Sequence, residues 1–269
     1  MTQIRYGPRS TTVDREVAAT KVGAWSTSFT ARYRTDTALV AQVLPPPLEP
    51  TDDPIVKVSV ATVEIDRPGV PVFGAGTFGV QCRHGDLVGF YPLLMPMSTE
   101  QSVIGGRETF GEPKKLATIA LDRDGDSLVG TVTRMGTTII ELRGEVTGEV
   151  DPPPPNTRTD FYLKFLRDPA GHGFDAEPRL VHCHRTETTR RRELVTGEIV
   201  LRESPFDPVA DLPVREIVEM HLSERQAEQR GEIVAALDPA DVLPYVHQRY
   251  DDAVPRPQGA SQLDGTEGS

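Results

Sequence analysis

Hydrophobic and polar positions alternate along much of this chain, and where they do the period is two. Residues 55–65 (IVKVSVATVEI) alternate for much of their length and predict a strand. Residues 26–34 (STSFTARYR), rich in β-branched and aromatic side chains, predict another. Residues 87–95 (LVGFYPLLM) form a continuous apolar run, the pattern of a strand buried on both faces. Segments 127–133 and 137–144 flank Arg134-Met135-Gly136 and predict a hairpin. Segments 161–166, 180–184 and 193–201 continue the series. Helical signals are few: 36–43, stopping before Pro45-Pro46-Pro47, a second starting near Ala117, and a third within 213–237. The prolines at 152–155 predict a stiff external connector. The pattern therefore predicts a β-rich α+β domain over residues 17–250. A flexible arm at 1–16 and a disordered tail at 251–269 flank it.

Composition narrows the function classes. The 269 residues include 24 Pro and 23 Gly without a Gly-X-Y period, which excludes a collagen-like chain and favours frequent turns. The net charge of −11 argues against a nucleic-acid binder, which needs a basic patch. The one basic run, Arg190-Arg191-Arg192, is followed at once by Glu193 and reads as a solvated face. Cys82 and Cys183 are far apart and predict no disulfide framework. No apolar run approaches the roughly 18–20 residues of a membrane helix, and residues 1–8 lack the apolar stretch of a signal peptide. The expectation is a cytoplasmic protein with neither a membrane nor a nucleic-acid partner. No Walker loop, dinucleotide glycine fingerprint, G-x-S-x-G elbow or H-E-x-x-H helix is present.

The stretch that carries chemistry is Gly105-Gly106-Arg107-Glu108-Thr109-Phe110-Gly111-Glu112-Pro113-Lys114-Lys115-Leu116. A free lysine has a pKa near 10.4, so only about 0.04% is the neutral, nucleophilic amine at pH 7. Bringing the pKa to about 7 raises that fraction roughly a thousandfold, at about 4 to 5 kcal/mol. Burial and a neighbouring like charge both act in that direction. In an extended segment, however, Lys114 and Lys115 would point to opposite faces, and burial would have to dominate.

G-R-E-x-x-x-x-P-K-K-L resembles the signature of the acetoacetate decarboxylase family, whose lysine activation is a standard example of a Schiff-base nucleophile. Tyr33-Arg34-Thr35-Asp36 and Leu44-Pro45-Pro46-Pro47-Leu48-Glu49 are similar to the family's N-terminal elements. Asp126-Ser127-Leu128-Val129-Gly130-Thr131, Tyr162-Leu163-Lys164 and Asp211-Leu212-Pro213-Val214-Arg215-Glu216-Ile217-Val218 resemble later blocks. The resemblance implies a closed antiparallel β-barrel or cone with a few outer helices, no organic cofactor, a small keto acid substrate and a homo-oligomer. It implies Lys114 as the imine-forming residue and Lys115 as its cationic neighbour. The imine would serve decarboxylation of a β-keto acid. It would equally serve aldol condensation and dehydration of pyruvate or another oxo acid, and a non-catalytic binding barrel is the third reading.

Where the family's decarboxylases carry an arginine and two glutamates, this chain aligns Ser26, Ser59 and Ala75, with Arg32 and Glu64 the nearest substitutes. Arg107 and Glu108 are expected to form a salt bridge that holds the lysine loop, with substrate binding by Arg107 and a pocket-acid role for Glu108 as the alternatives. Tyr91, Met95 and Met97 are candidate pocket-lining residues, with core packing as the alternative. His182 and His184 share one face of a predicted strand and His172 is near in sequence, but two ligands fall short of a zinc set, so no metal site is expected.

Overall fold

In a computed structural model, which describes residues 6–7, 24–65 and 70–253, the alternating segment at 55–65 is a strand over that whole length. The strands are β1 (Ala24–Arg34), β2 (Glu49–Pro50), β3 (Ile55–Ile65), β4 (Phe73–His84), β5 (Leu87–Met97) and β6 (Lys114–Leu116). Then come β7 (Thr118–Asp124), β8 (Ser127–Arg134), β9 (Thr137–Val150), β10 (Asn156–Lys164), β11 (Arg179–Leu201) and β12 (Glu216–Ala236). Helix α1 (Thr37–Val43) follows β1, α2 (Glu100–Phe110) lies between β5 and β6, and α3 (Pro239–Val242) follows β12. Most of the predicted arm, all but Tyr6 and Gly7, lies outside the described residues, as does the tail from 254.

Seven strands close on themselves in the order β10-β5-β4-β3-β1-β12-β11, with β10 pairing back to β11. All but one of these pairings are antiparallel; β5 and β10 run parallel and meet through Asp160 opposite Phe90. The long β11 pairs with β10 along its first half and with β9 along its second, so β9-β8-β7 continues the sheet beyond the ring. That extension folds over the outside of β1, β3 and β4. Phe29, Tyr33, Val58, Val60, Phe78 and Val80 meet Leu128, Val132, Ile140 and Leu142 there in one apolar core. Each such buried side chain contributes about 1.5–3 kcal/mol. With the outer face of these strands so covered, the alternate residues turn into the ring, and those are largely polar.

β4 and α2 form where the sequence reading predicts no element, and three of the predicted segments differ from it. The residues from Thr118 form β7, not a helix, because Gly125, at φ +62°, turns the chain into a hairpin with β8. The stretch 216–236 is a strand between β1 and β11, although its Glu, Gln, Arg and Ala residues favour helix; pairing on both edges overrides that propensity. The segments at 180–184 and 193–201 are parts of one 23-residue strand.

Candidate active site

Lys114 and Lys115 open β6, which pairs in parallel with β5. Cross-strand partners share a face, so the register fixes what looks into the ring. Ser26 lies opposite Val63 and Arg225, Ser59 opposite Thr30 and Thr77, Ala75 opposite Ala61 and Met97, and Met95 opposite Lys114. The inner face therefore holds Ser26, Ser59, Ala75, Met95, Met97 and Lys114 together. Met95 and Met97 pack there with Tyr162, Val181 and Cys183.

Lys114 Nζ lies 2.7 Å from Glu112 Oε2, and the two side chains are 15% and 1% exposed. Glu112 is two residues before Lys114, the spacing that puts two side chains on one side of an extended chain. Helix α2 ends at Gly111, which caps it in the left-handed conformation at φ +83° and turns the chain back along β5. Gly106 makes the close approach possible: a Cβ there would strike the Glu112 carboxylate and come within 2.7 Å of Lys114 Nζ.

From Glu112 a chain of alternating charges crosses the interior. Arg185 donates to Glu112 Oε1 at 2.6 Å and to Asp160 Oδ2 at 2.7 Å. Arg158 donates to Asp160 Oδ1 at 2.7 Å and to Glu187 Oε1 at 2.9 Å. Arg225 donates to the same Glu187 oxygen at 2.5 Å. Tyr162 donates to Asp160, and Gln229 to Glu112. Burial alone would raise Glu112, but Lys114 and Arg185 outweigh it and hold the carboxyl below its usual range. Burial alone would also raise Asp160, but Arg158 and Arg185 outweigh it and hold that carboxyl below its usual range. Against burial, Arg225 and Arg158 bring Glu187 down to about 2. Lys57 of β3 faces the same interior. Burial, then the guanidiniums of Arg158 and Arg225, push its ammonium well below the ordinary value.

Lys115 points to the other face. Its Nζ, in a side chain 5% exposed, donates to Asp207 Oδ1 and the Tyr250 carbonyl, both at 2.9 Å, and lies 3.3 Å from Asp251. Arg134 holds Asp207 from the far side at 2.7 Å. A cavity of about 120 Å³ lined by Leu93, Leu94, Phe206, Val209 and Leu212 opens on this Lys115 side rather than at Lys114. Lys115 is buried and already held by acceptors, so it offers that cavity no free amine. Of the other candidates, Glu108 is exposed on α2, and the buried acid beside the lysine is Glu112. Arg107 donates from one nitrogen to the carbonyls of Lys114 and Arg249, both at 2.9 Å, and so braces the lysine strand. Tyr91 lies opposite Val80, on the outer face, and donates to Gln248 at 2.7 Å. Arg32 faces inward to Gln81 and Glu219, whereas Glu64 lies on the opposite, Trp25 side.

Comparison with known proteins bears on what this interior is. The profile of the family described as acetoacetate decarboxylase matches residues 6–237. The chain belongs to the acetoacetate decarboxylase family. A relative named acetoacetate decarboxylase from Acidiphilium cryptum is 32% identical over 213 residues, covering 75% of this chain and 83% of the relative. A solved acetoacetate decarboxylase structure superposes with a TM-score of 0.71 at 22% identity, covering 84% of this chain and 99% of the other. The enduracididine biosynthesis enzyme MppR, solved with the condensation product of pyruvate and imidazole 4-carboxaldehyde, shares the fold at a TM-score of 0.65 and 16% identity, covering 79% of this chain and 88% of that one. The likenesses to solved structures speak for the acetoacetate decarboxylase fold, and the relatives for an enzyme of this family. No helix among the described residues is long and apolar enough to cross a membrane.

Proposed function

We propose that this protein is a lyase that decarboxylates a β-keto acid through an imine at Lys114. The observation that carries the reading is the placement of Lys114 Nζ inside the strand ring, nearly shielded from water and 2.7 Å from the buried Glu112. Attack on a ketone needs the neutral amine, so the proton held between Lys114 and Glu112 has to move first, and Glu112 is within reach to take it. The amine adds to the carbonyl carbon and water leaves, giving a protonated imine. The bond to the carboxylate then breaks, CO2 departs, and the electron pair enters the imine to form an enamine. Protonation at carbon and hydrolysis return the amine.

The charges of the interior suit an anionic substrate. Along the chain from Lys114 to Arg225, four cations (Lys114, Arg185, Arg158 and Arg225) face three carboxylates (Glu112, Asp160 and Glu187). That leaves one positive charge for a substrate carboxylate, before Lys57 is considered. A second reading rests on the small inner residues Ser26, Ser59 and Ala75. They put short side chains, in place of an arginine and two glutamates, on the inner face of β1, β3 and β4, which favours a different second substrate, a carbonyl partner in an aldol condensation and dehydration.

Borohydride trapping with acetoacetate and with pyruvate, read by intact mass and peptide mapping, tests both. The proposal expects a reduced adduct at Lys114 with acetoacetate, and CO2 release without borohydride. Condensation of pyruvate with an aldehyde, without CO2 release, would favour the second reading. No adduct with either ketone, or an adduct mapping to Lys57 instead, would refute Lys114 as the nucleophile.

A further inference from the structure

His182 and His184 gain two further ligand-type groups from the fold. Both histidines project from β11 on the side opposite Cys183 and Arg185, away from the ring interior. Register puts Glu232 of β12 directly beside His182. One ligand atom from each of His182, His184 and Glu232 lies within 4.8 Å of the others. His84, the last residue of β4, brings its Nδ1 to 3.0 Å from His182 Nε2, and His184 Nε2 is 3.2 Å from Glu232 Oε1. In a tetrahedral site with metal–nitrogen bonds of about 2.0–2.1 Å, ligand atoms stand about 3.3 Å apart. Two of the contacts therefore already have close to the length of an edge. Thr159 Oγ1 lies 3.0 Å from His184 Nδ1, an outer hydrogen bond that orients the ring and leaves Nε2 for a metal. Phe161 packs edge-on against both His84 and His182 and gives the cluster an apolar floor.

We infer that His182, His184 and Glu232 bind one divalent transition-metal ion of the zinc class, with His84, which contacts His182, drawn in as the fourth ligand. Imidazole donors with one carboxylate suit Zn²⁺, Ni²⁺ or Co²⁺, and supply too few oxygens for Ca²⁺ or Mg²⁺. On binding, the ring hydrogen between His84 Nδ1 and His182 Nε2 shifts, by exchange with solvent, to the far nitrogen of the ring that carried it, so both imidazoles ligate in the neutral form with no net proton lost. The position gives the ion a role. The ring closes between β5 and β10 through one registered pair, Asp160 with Phe90. His84 belongs to the β4–β5 side of that seam, and His182, His184 and Glu232 belong to the strands beyond β10. A bound ion clamps the seam from outside, independently of any chemistry at Lys114.

The test uses the full chain after chelator treatment and desalting, titrated with Zn²⁺ by calorimetry and with Co²⁺ as a spectroscopic probe. One ion per chain, a raised unfolding temperature and the absorption of four-coordinate Co²⁺ are expected. His184→Gln weakens Zn²⁺ affinity by at least about tenfold. Glu232→Gln does the same from a side chain 58% exposed, where substitution leaves folding intact. Absence of saturable binding at micromolar Zn²⁺, or an affinity unchanged in both variants, overturns the site.

Discussion

Lys114 and Lys115 are adjacent in sequence but belong to different environments, and separating their roles tests the reading of the site. Lys115→Met keeps the length of the side chain and removes its charge. The structure then loses the 2.9 Å bonds from Nζ to Asp207 and to the Tyr250 carbonyl. Removing one partner of a buried ion pair costs about 3–5 kcal/mol. Arg134 stays on Asp207 at 2.7 Å, so the lower end, about 3 kcal/mol, applies. For a chain of this size that lowers the melting temperature by about 6–12 °C. Lys114→Met leaves Glu112 bound to Arg185 and Gln229. It should remove the imine outright while changing the melting temperature less. Thermal unfolding by circular dichroism, with borohydride trapping well below both transitions, reads the two effects separately. The expected result is a destabilised Lys115→Met protein that still traps ketone at Lys114. A Lys115→Met protein as stable as the parent, yet as deficient in trapping as Lys114→Met, would show that Lys115 acts on the chemistry directly and that the opposite-face argument is wrong.

Glu112→Gln removes the proton acceptor beside Lys114 and should slow imine formation by about 10²–10⁴-fold; stopped-flow rates with acetoacetate within tenfold of the parent would contradict that role. Glu187, whose carboxyl ordinarily titrates near 4.5, is held against burial at about 2 in the folded protein by Arg225 and Arg158, which is worth about 3 kcal/mol of stability. Because the folded value is the lower one, this stability is fully present above pH 4.5 and disappears as pH falls towards 2. Urea unfolding of the parent and of Glu187→Gln should therefore differ most near neutrality and converge in acid; parallel curves across that window would count against the ion-pair chain. Gly106→Ala should gain helix propensity but push Glu112 and Lys114 apart, so the variant folds and traps ketone poorly. Unchanged trapping would mean the approach of α2 to the lysine is not tight.

How far the sequence could be read follows from which side of each strand meets apolar neighbours. β3 and the β8–β9 hairpin were legible because one face of each packs into the apolar core between ring and extension. β12 was misread because both sides of its middle are polar: Arg225, Ala227 and Gln229 face the charged interior, and Gln226, Glu228 and Arg230 face outwards. With no apolar period to report, helix propensity was the remaining signal, and it pointed the wrong way. β4 is absent from the predicted strands, its period interrupted by glycines that the fold needs, since a Cβ at Gly76 would come within 2.8 Å of Pro96 and one at Gly79 within 2.7 Å of Pro92. α2 carries two consecutive glycines, Gly105 and Gly106, and the second is there to admit Glu112 and Lys114. The same cause concealed much of the site. The lysines stood out through a family motif, whereas Glu112 inside that motif, and Arg158, Asp160, Arg185 and Glu187, are residue types that sequence reasoning assigns to the surface. A signal was nonetheless present: Arg158-x-Asp160-x-Tyr162 and Cys183-x-Arg185-x-Glu187 place polar side chains at period two on strands whose alternate positions hold the buried Phe161 and Leu163, or Leu180 and His182. A strand with apolar residues on one side and alternating charges on the other is ordinary at a surface; two of them paired side by side, with a lysine motif elsewhere, are the pattern of a closed ring whose polar side is its inside.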